Sequence, residues 1–129
     1  MTRMDKHTLN QETASFVERP WGNYFKLFQG PGVWVKRVQV KPGARLSLQK
    51  HLSRSEKWII VEGEGLAVIN DQEILVKAGV VVDIPKEAVH RIGNMGKANL
   101  VFIEVACGDY LSETDIVRLQ DDYERKTST

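Results

Sequence analysis

The chain has 129 residues, which is enough for one domain with a buried core and too few for two. A formal net charge of +1 and a pI near 7.9 give no reason to expect a nucleic acid partner. The single Cys107 excludes an internal disulfide, and no apolar run is long enough to span a membrane, so a cytoplasmic location is predicted.

The first 18 residues are polar and show no apolar periodicity, which predicts an N-terminal arm over residues 1–18. A barrel domain is predicted over residues 19–110. Its apolar runs are short, rich in β-branched residues, and separated by Gly, Pro, Asn and Asp, which is typical of an all-β sandwich or barrel. The predicted strands are 32–40, 46–51, 57–61, 65–69, 73–76, 80–84, 90–92 and 100–105.

The remaining segment, residues 111–129, is predicted to form a short helix and a frayed tail. Ser112 and Asp115 have the spacing of a capping box, which predicts a helix from Thr114 to Gln120. The residues that follow are polar, as expected for a chain end that packs against nothing.

Four side chains form the pattern of a metal site. On the strand predicted over 46–51, alternation places Gln49 and His51 on the same face, and Glu56 comes next, just before the strand predicted over 57–61. His90 lies in a second segment that follows a Val-rich strand. Two imidazoles, one carboxylate and one amide oxygen suit a borderline divalent metal with positions left open for a substrate. Arg54 lies in the connecting turn and is predicted to be solvated.

These two segments resemble the two motifs of the cupins, which are small jelly-roll barrels. In the first motif Gln49 stands where the family has its first histidine, between Gly43 and Gly63. In the second motif, which runs from Gly79 to Asn94, Glu87 stands where the family has a glycine. The resemblance implies a single cupin barrel, also called a double-stranded β-helix, and a metal held by Gln49, His51, Glu56 and His90.

A closer resemblance is to the type II mannose-6-phosphate isomerase domain. That domain often forms the carboxyl end of bifunctional enzymes that also carry a mannose-1-phosphate guanylyltransferase. The likeness covers about residues 18–124 and rests on these segments: Arg19 to Gly22, Val35 to Arg37, Lys41 to Gly43, Leu46 to Gln49, Glu56 to Trp58, Pro85 to Arg91 and Tyr110 to Arg118. It implies a metal-dependent isomerase of sugar phosphates, with mannose 6-phosphate and fructose 6-phosphate as the expected pair, in polysaccharide or nucleotide-sugar precursor metabolism.

Two residues are predicted to take part in catalysis. Arg91, beside His90, is expected to bind phosphate or stabilise charge, because a guanidinium pairs with phosphate through two hydrogen bonds. Lys57 is a candidate for proton transfer. Three family histidines are replaced by Leu52, Ser53 and Lys57, so any proton transfer that they carry in relatives is expected to be missing.

These departures leave alternatives open. The chain is predicted to bind one divalent metal ion, with Zn as the first choice and Mn, Co, Ni or Fe as alternatives, and to take a small sugar phosphate as its partner. A homodimer is expected because small barrels expose strand edges. The alternatives to the isomerase are a non-catalytic sugar-binding or regulatory cupin that keeps the metal, and a cupin enzyme of another class such as a dioxygenase.

Overall fold

The computed structural model describes residues 15–123, and in this part of the chain all regular structure is β. These residues form eleven strands and no helix. They therefore include no helix that is long and apolar enough to cross a membrane. The strands are β1 (Ser15–Arg19), β2 (Gly22–Gly30), β3 (Val33–Val40), β4 (Leu48–Lys50), β5 (Ser55–Glu62), β6 (Glu64–Ile69), β7 (Gln72–Lys77), β8 (Val81–Ile84), β9 (His90–Asn94), β10 (Leu100–Cys107) and β11 (Val117–Gln120).

The strands form two antiparallel sheets that enclose the core. One sheet has six strands in the order β1-β2-β3-β10-β5-β8, and the other has five in the order β11-β4-β9-β6-β7. The all-β prediction is therefore confirmed. Both sheets contain strands that are distant in sequence, as expected for a jelly roll.

The core lies between the inner faces of the two sheets. On β3 every second side chain from Trp34 to Val40 is buried, which is the period-two alternation of a strand with one face inward. Trp58 and Phe102 pack together with ring centroids 5.1 Å apart, and Ile92 approaches them from the five-stranded sheet. Burial of such large apolar side chains provides most of the free energy that holds the sheets together.

The two ends of the chain differ from the sequence predictions. Residues 15–18 were assigned to the arm, but they belong to β1, which pairs with β2, a strand that was not predicted. The rest of the predicted arm, residues 1–14, lies outside the described residues. Apart from Gly22 and Tyr24, which are buried, both β1 and β2 carry exposed or half-buried residues, so their apolar alternation is too weak to detect.

The helix predicted from Thr114 to Gln120 is wrong. Ser112 does act as a local cap, because its Oγ accepts a hydrogen bond from the Thr114 backbone amide (3.1 Å), but the result is a turn. The chain then continues as β11, which pairs with β4. Pairing with β4 determines the secondary structure of this segment. The edge of β4 offers backbone hydrogen bonds, and the segment contains β-branched residues, which favour a strand. Residues 124–129 of the predicted tail lie outside the described part of the chain.

Two turns fix the positions of the metal-site segments. Gly63 joins β5 to β6 with φ of 87°, and a Cβ there would collide with the backbone of Asn99, so only glycine fits. Glu87 has φ of 68° in the turn before β9, at the position where the cupin motif has a glycine. The Glu87 amide donates to the carbonyl of His51 (2.9 Å), which ties the second motif to the first.

Candidate metal centre

Three of the four predicted ligands converge inside the barrel. His51 follows β4, Glu56 lies on β5 and His90 begins β9, and their ligand atoms all lie within 4.8 Å of one another. Each residue is only 3% exposed. A buried cluster of two imidazoles and a carboxylate needs a cation or a dense hydrogen-bond network to offset its desolvation.

Backbone carbonyls orient both imidazoles. His51 Nδ1 donates to the carbonyl of Asp115 (2.6 Å), and His90 Nδ1 donates to the carbonyl of Ala88 (2.9 Å). Since a carbonyl oxygen only accepts, each Nδ1 carries a proton, and Nε2 is the nitrogen of each ring that can present a lone pair. Burial lowers the pKa of His51 to about 4, against which the charge of Glu56 is a smaller, opposing effect. His51 is therefore neutral at pH 7, the state that binds a metal.

Glu56 is held as a carboxylate. Its Oε1 accepts a hydrogen bond from Trp58 Nε1 (3.0 Å), and its Oε2 accepts one from Arg54 Nε (2.9 Å). Burial by itself raises the pKa of Glu56, but the nearby imidazoles and the Arg54 guanidinium outweigh burial and hold the pKa at about 2.

Gln49 completes the predicted set. It lies directly opposite His90 across the β4–β9 pair, so both side chains are on the same face of the sheet. Its Nε2 donates to Ser47 Oγ (2.9 Å), which leaves the amide oxygen as the group available to a cation. Two imidazoles, a carboxylate and an amide oxygen fit a borderline divalent metal.

The four side chains line a cavity of about 270 Å³ that has a cationic character. Five of its lining residues carry a cationic side chain and three carry a carboxyl group; they are Arg19, Lys36, Arg54, Arg91 and Arg118, and Glu56, Glu104 and Glu113. Low-dielectric walls strengthen the attraction of such a lining for an anion.

Arg91 lines this cavity, as predicted. Its Nε donates to the carbonyl of Leu46 (3.0 Å) and its Nη1 to Gln120 Oε1 (3.3 Å). Within residues 15–123, its buried Nη2 has no hydrogen-bond partner. Burial lowers the pKa of Arg91, and the nearby Arg45 acts in the same direction.

Lys57 is not part of the site, which corrects the role predicted for it. Its side chain is 63% exposed and pairs with Asp83 on β8, on the face of β5 opposite to Glu56 and Trp58. Leu52 is exposed as well, and Leu52, Ser53 and Lys57 do not line the cavity. The expectation that replacing the three family histidines removes proton transfer inside the barrel is therefore unsupported.

The prediction of a solvated Arg54 is wrong, because its side chain is buried against the metal ligands. Arg54 is 5% exposed, and its Nη2 lies 3.3 Å from His51 Nε2 while its Nη1 donates to the carbonyl of Ser112 (3.1 Å). Its position in a turn gave no sign of burial. The sequence signal was the proximity of Arg54 to two ligand positions, since a buried carboxylate needs a cationic partner.

Glu104 on β10 was also missed. It faces inward in the series Leu100, Phe102, Glu104 and Ala106, and it lines the cavity. Val101, Ile103 and Val105 on the opposite face are apolar too, so alternation in the sequence does not show which face is inward.

The segment from Ser112 to Gln120, here called the strap, covers one side of the site. The Asp115 carboxylate accepts hydrogen bonds from the amides of Leu52 and Ser53 (2.9 and 3.0 Å), and the Asp115 carbonyl accepts from His51. Glu113, Thr114 and Arg118 line the cavity from the same segment. The strap therefore orients His51, a candidate metal ligand, as well as forming a wall.

Comparison with known proteins identifies the family. A family model described as "Mannose-6-phosphate isomerase C-terminal" matches residues 5–121, nearly the whole chain. The chain belongs to the mannose-6-phosphate isomerase C-terminal family. The predicted resemblance to this domain and to the cupins is confirmed.

Several known proteins contain a segment that is similar in sequence to this chain. The alginate biosynthesis protein AlgA of Pseudomonas aeruginosa is 47% identical over 109 residues, which are 84% of this chain and 23% of that protein. A mannose-1-phosphate guanylyltransferase of Sinorhizobium fredii is 42% identical over 119 residues, 88% of this chain and 23% of that protein. The xanthan biosynthesis protein XanB of Xanthomonas campestris is 46% identical over 84% of this chain and 23% of that protein.

Solved structures share the fold of this family member. The capsular polysaccharide assembling protein CapF of Staphylococcus aureus superposes with a TM-score of 0.73 at 24% identity, over 83% of this chain and 34% of that one. A predicted oxalate decarboxylase of Thermotoga maritima gives a TM-score of 0.65 at 24% identity, over 76% of this chain and 94% of that one. Both likenesses concern the fold alone.

The comparisons correct the predicted function. The activity named among the relatives is that of a mannose-1-phosphate guanylyltransferase, and the other names give alginate and xanthan biosynthesis. The prediction of a sugar-phosphate isomerase is overturned by these names. This chain spans about a quarter of the length of these relatives. Residue patterns predict the chemistry of one site, whereas the activity that names a longer protein can belong to a different part of that protein.

Proposed function

We propose that this chain is a metal-binding cupin domain that recognises a phosphorylated mannose in the synthesis of polysaccharide precursors. The observation that carries the proposal is that the buried His51–Glu56–His90 cluster lines the same cavity as the cationic side chains, among them Arg91. One cavity thus offers groups for both ends of a sugar phosphate.

The metal end of the site consists of Gln49, His51, Glu56 and His90. The His51 ring is neutral and the Glu56 carboxylate is ionised, so these two residues need no deprotonation before a cation binds at pH 7. Mixed nitrogen and oxygen donors favour Zn as the first choice, with Mn, Co, Ni or Fe as alternatives. A bound divalent metal supplies Lewis acidity toward the oxygens of a ligand.

The phosphate end is assigned to Arg91. Its Nε and Nη1 atoms are fixed by Leu46 and Gln120, so the guanidinium is held in one orientation in the cavity wall. A pre-oriented guanidinium loses little entropy when it binds an anion, and charge-assisted hydrogen bonds are stronger than neutral ones. Arg91 is therefore the first residue to test for recognition of phosphate.

The biological setting follows from the names of the relatives. Mannose 1-phosphate is named in the activity of the Sinorhizobium fredii relative, and alginate and xanthan are named in the other two. These names support a mannose phosphate over other anions of similar size. Cys107 is an exposed free thiol, which fits the reducing cytoplasm.

The test is a binding titration of the zinc-loaded protein. Calorimetry with mannose 1-phosphate, mannose 6-phosphate, free mannose and inorganic phosphate should show that a mannose phosphate binds more tightly than free mannose. Arg91→Leu should reduce that binding at least tenfold, the size expected for a charge-assisted hydrogen bond, and leave metal content unchanged. The double variant His51→Ala, His90→Ala should lose the metal.

The exposed Lys57→Ala variant is the matched control, because it removes a cation from the outer face of the sheet. It should keep parental affinity for both metal and ligand. Full metal content in the double histidine variant would refute the metal centre. Equal affinities for mannose and for both mannose phosphates would refute recognition of phosphate.

A further inference from the structure

Glu104 is a buried carboxyl group inside the proposed ligand cavity. It lies on the inner face of β10, is 9% exposed and lines the same cavity as the metal ligands. Its Oε2 is buried and, among the residues that the structure describes, no hydrogen-bond partner is found for it. An unsatisfied buried acceptor is costly, so a protein that keeps one needs a reason.

The neighbouring cations do not satisfy this carboxyl. Lys36 lies directly opposite Glu104 across the β3–β10 pair, but its Nζ donates to Glu113 of the strap at 2.8 Å. Arg54 is engaged by Glu56 and by the carbonyl of Ser112. On its other side Glu104 faces Trp58, whose indole donates to Glu56. The arrangement leaves the Glu104 carboxyl, in the wall of the cavity, without a hydrogen-bond partner for Oε2 among the described residues.

We propose that the Glu104 carboxyl hydrogen-bonds a hydroxyl group of the bound sugar and thereby selects a sugar phosphate over a small anion such as inorganic phosphate. This inference rests on the proposed function and adds the residue that recognises the sugar ring. A hydroxyl is the ligand group that both accepts and donates, so it satisfies the carboxyl in either protonation state. A site that leaves a buried polar group unpaired discriminates against any ligand that fails to pair with it.

The electrostatics of the cavity agree with this role. Burial raises the pKa of Glu104 to about 8, and the neighbouring carboxylate of Glu56 acts in the same direction, whereas Lys36 and Arg54 oppose the shift. Glu113, on the strap, is a further carboxylate that raises it. A carboxyl that is neutral at pH 7 does not repel a phosphorylated ligand, and it offers an O–H donor to the sugar.

The experiment compares Glu104→Gln and Glu104→Leu with the parent, all loaded with zinc. Glu104→Gln keeps a donor and an acceptor, and Glu104→Leu keeps similar volume without polar atoms. Calorimetry at pH 7 is carried out with mannose 1-phosphate, mannose 6-phosphate and inorganic phosphate. We expect Glu104→Leu to bind the mannose phosphate about tenfold more weakly than the parent and inorganic phosphate equally well, and Glu104→Gln to stay within about threefold of the parent.

Thermal unfolding separates recognition from a structural role. Because Glu104→Leu removes an unsatisfied buried group, it should melt at or above the temperature of the parent while binding the sugar phosphate more weakly. Parental affinity for the mannose phosphates in Glu104→Leu would overturn this inference and leave the proposed function intact. Failure of the parent itself to bind any mannose phosphate would overturn the proposed function, and this inference with it.

Discussion

Some buried polar side chains of the site have hydrogen-bond partners, whereas one buried carboxyl oxygen has none among the described residues. His51 and His90 are each fixed by one backbone carbonyl, and Glu56 is fixed by two donors. Such outer contacts fix the orientation of metal ligands, and their loss typically lowers metal affinity about 10–100-fold. Glu104 is the opposite case, since it is buried without an observed partner for Oε2 within residues 15–123. Its cost should be measurable as a dependence of stability on pH.

The substitution Glu104→Gln should stabilise the fold increasingly as the pH rises. The pKa of Glu104 is raised from 4.5 to about 8, so between these values the unfolded chain ionises while the folded chain keeps its proton. The carboxyl therefore destabilises the parent progressively through this window and fully above it. Urea unfolding should give a Glu104→Gln advantage near zero at pH 4.5 and on the order of a few kcal/mol above pH 8.

The exposed Glu73→Gln variant on β7 is the control, and its difference from the parent should not change across the same pH range. A constant difference between Glu104→Gln and the parent from pH 4.5 to 8 would show that the Glu104 carboxyl ionises with an ordinary pKa in the folded protein.

At the level of elements, the strap connects the edge of the five-stranded sheet to the metal centre. β11 pairs with β4, and the turn that precedes it contributes the Asp115 carbonyl to His51. Asp115 also binds the two amides that follow His51, so one residue fixes both the ring and the backbone of a ligand segment. The strap thus contributes to the metal site without supplying a ligand.

Replacing Asp115 with alanine should weaken the metal site. Without the carboxylate, the amides of Leu52 and Ser53 lose their acceptors and the segment of His51 loses its orientation. Loss of such outer contacts typically lowers metal affinity about 10–100-fold. Competition with a chromophoric chelator measures this affinity directly. Asp83→Ala, which removes an exposed carboxylate on β8, should leave it unchanged; equal affinities in both variants would show that Asp115 does not position His51.

At the level of the whole molecule, the core and the metal centre are continuous. Trp58 belongs to the core cluster and packs on Phe102, yet its indole nitrogen donates to Glu56 and its ring contacts His90 edge-on. The packing of the two sheets therefore fixes the geometry of the site. The homodimer expected from the exposed strand edges stays a prediction.

The two roles of Trp58 can be separated by substitution. Trp58→Phe keeps an aromatic ring in the core but removes the donor to Glu56 Oε1, so metal affinity should fall by about tenfold. Phe102→Leu changes the same cluster without removing any hydrogen bond, and it should lower the melting temperature and leave metal affinity close to parental. Chelator competition and thermal unfolding of both variants provide the measurements. Comparable metal affinities in the two variants would mean that packing, and not the indole donor, sets the strength of the site.

The sequence by itself determined the all-β class, eight of the strands to within a few residues, and four candidate metal ligands that the structure brings to one cavity. These features can be predicted from neighbouring residues. Alternation of apolar and polar residues indicates the strands. Motif spacing indicates the candidate ligands, through the intervals between Gln49, His51 and Glu56 and between Pro85 and His90. Gly63 has a left-handed φ, so the glycine at this motif position indicates a backbone conformation that other residues rarely adopt.

Only the tertiary structure decided the rest. β11 replaced the predicted helix because the edge of β4 was available to pair with it, and no local pattern shows that edge. Lys57 lies outside, where it pairs with Asp83 of β8, and Arg54 lies inside, where Glu56 and the carbonyl of Ser112 accept hydrogen bonds from its guanidinium. Glu104 stayed hidden because β10 is buried on one face and half-buried on the other, so its apolar residues do not alternate. In each case the deciding contact joins residues far apart in sequence, and such contacts leave no periodic signal along the chain.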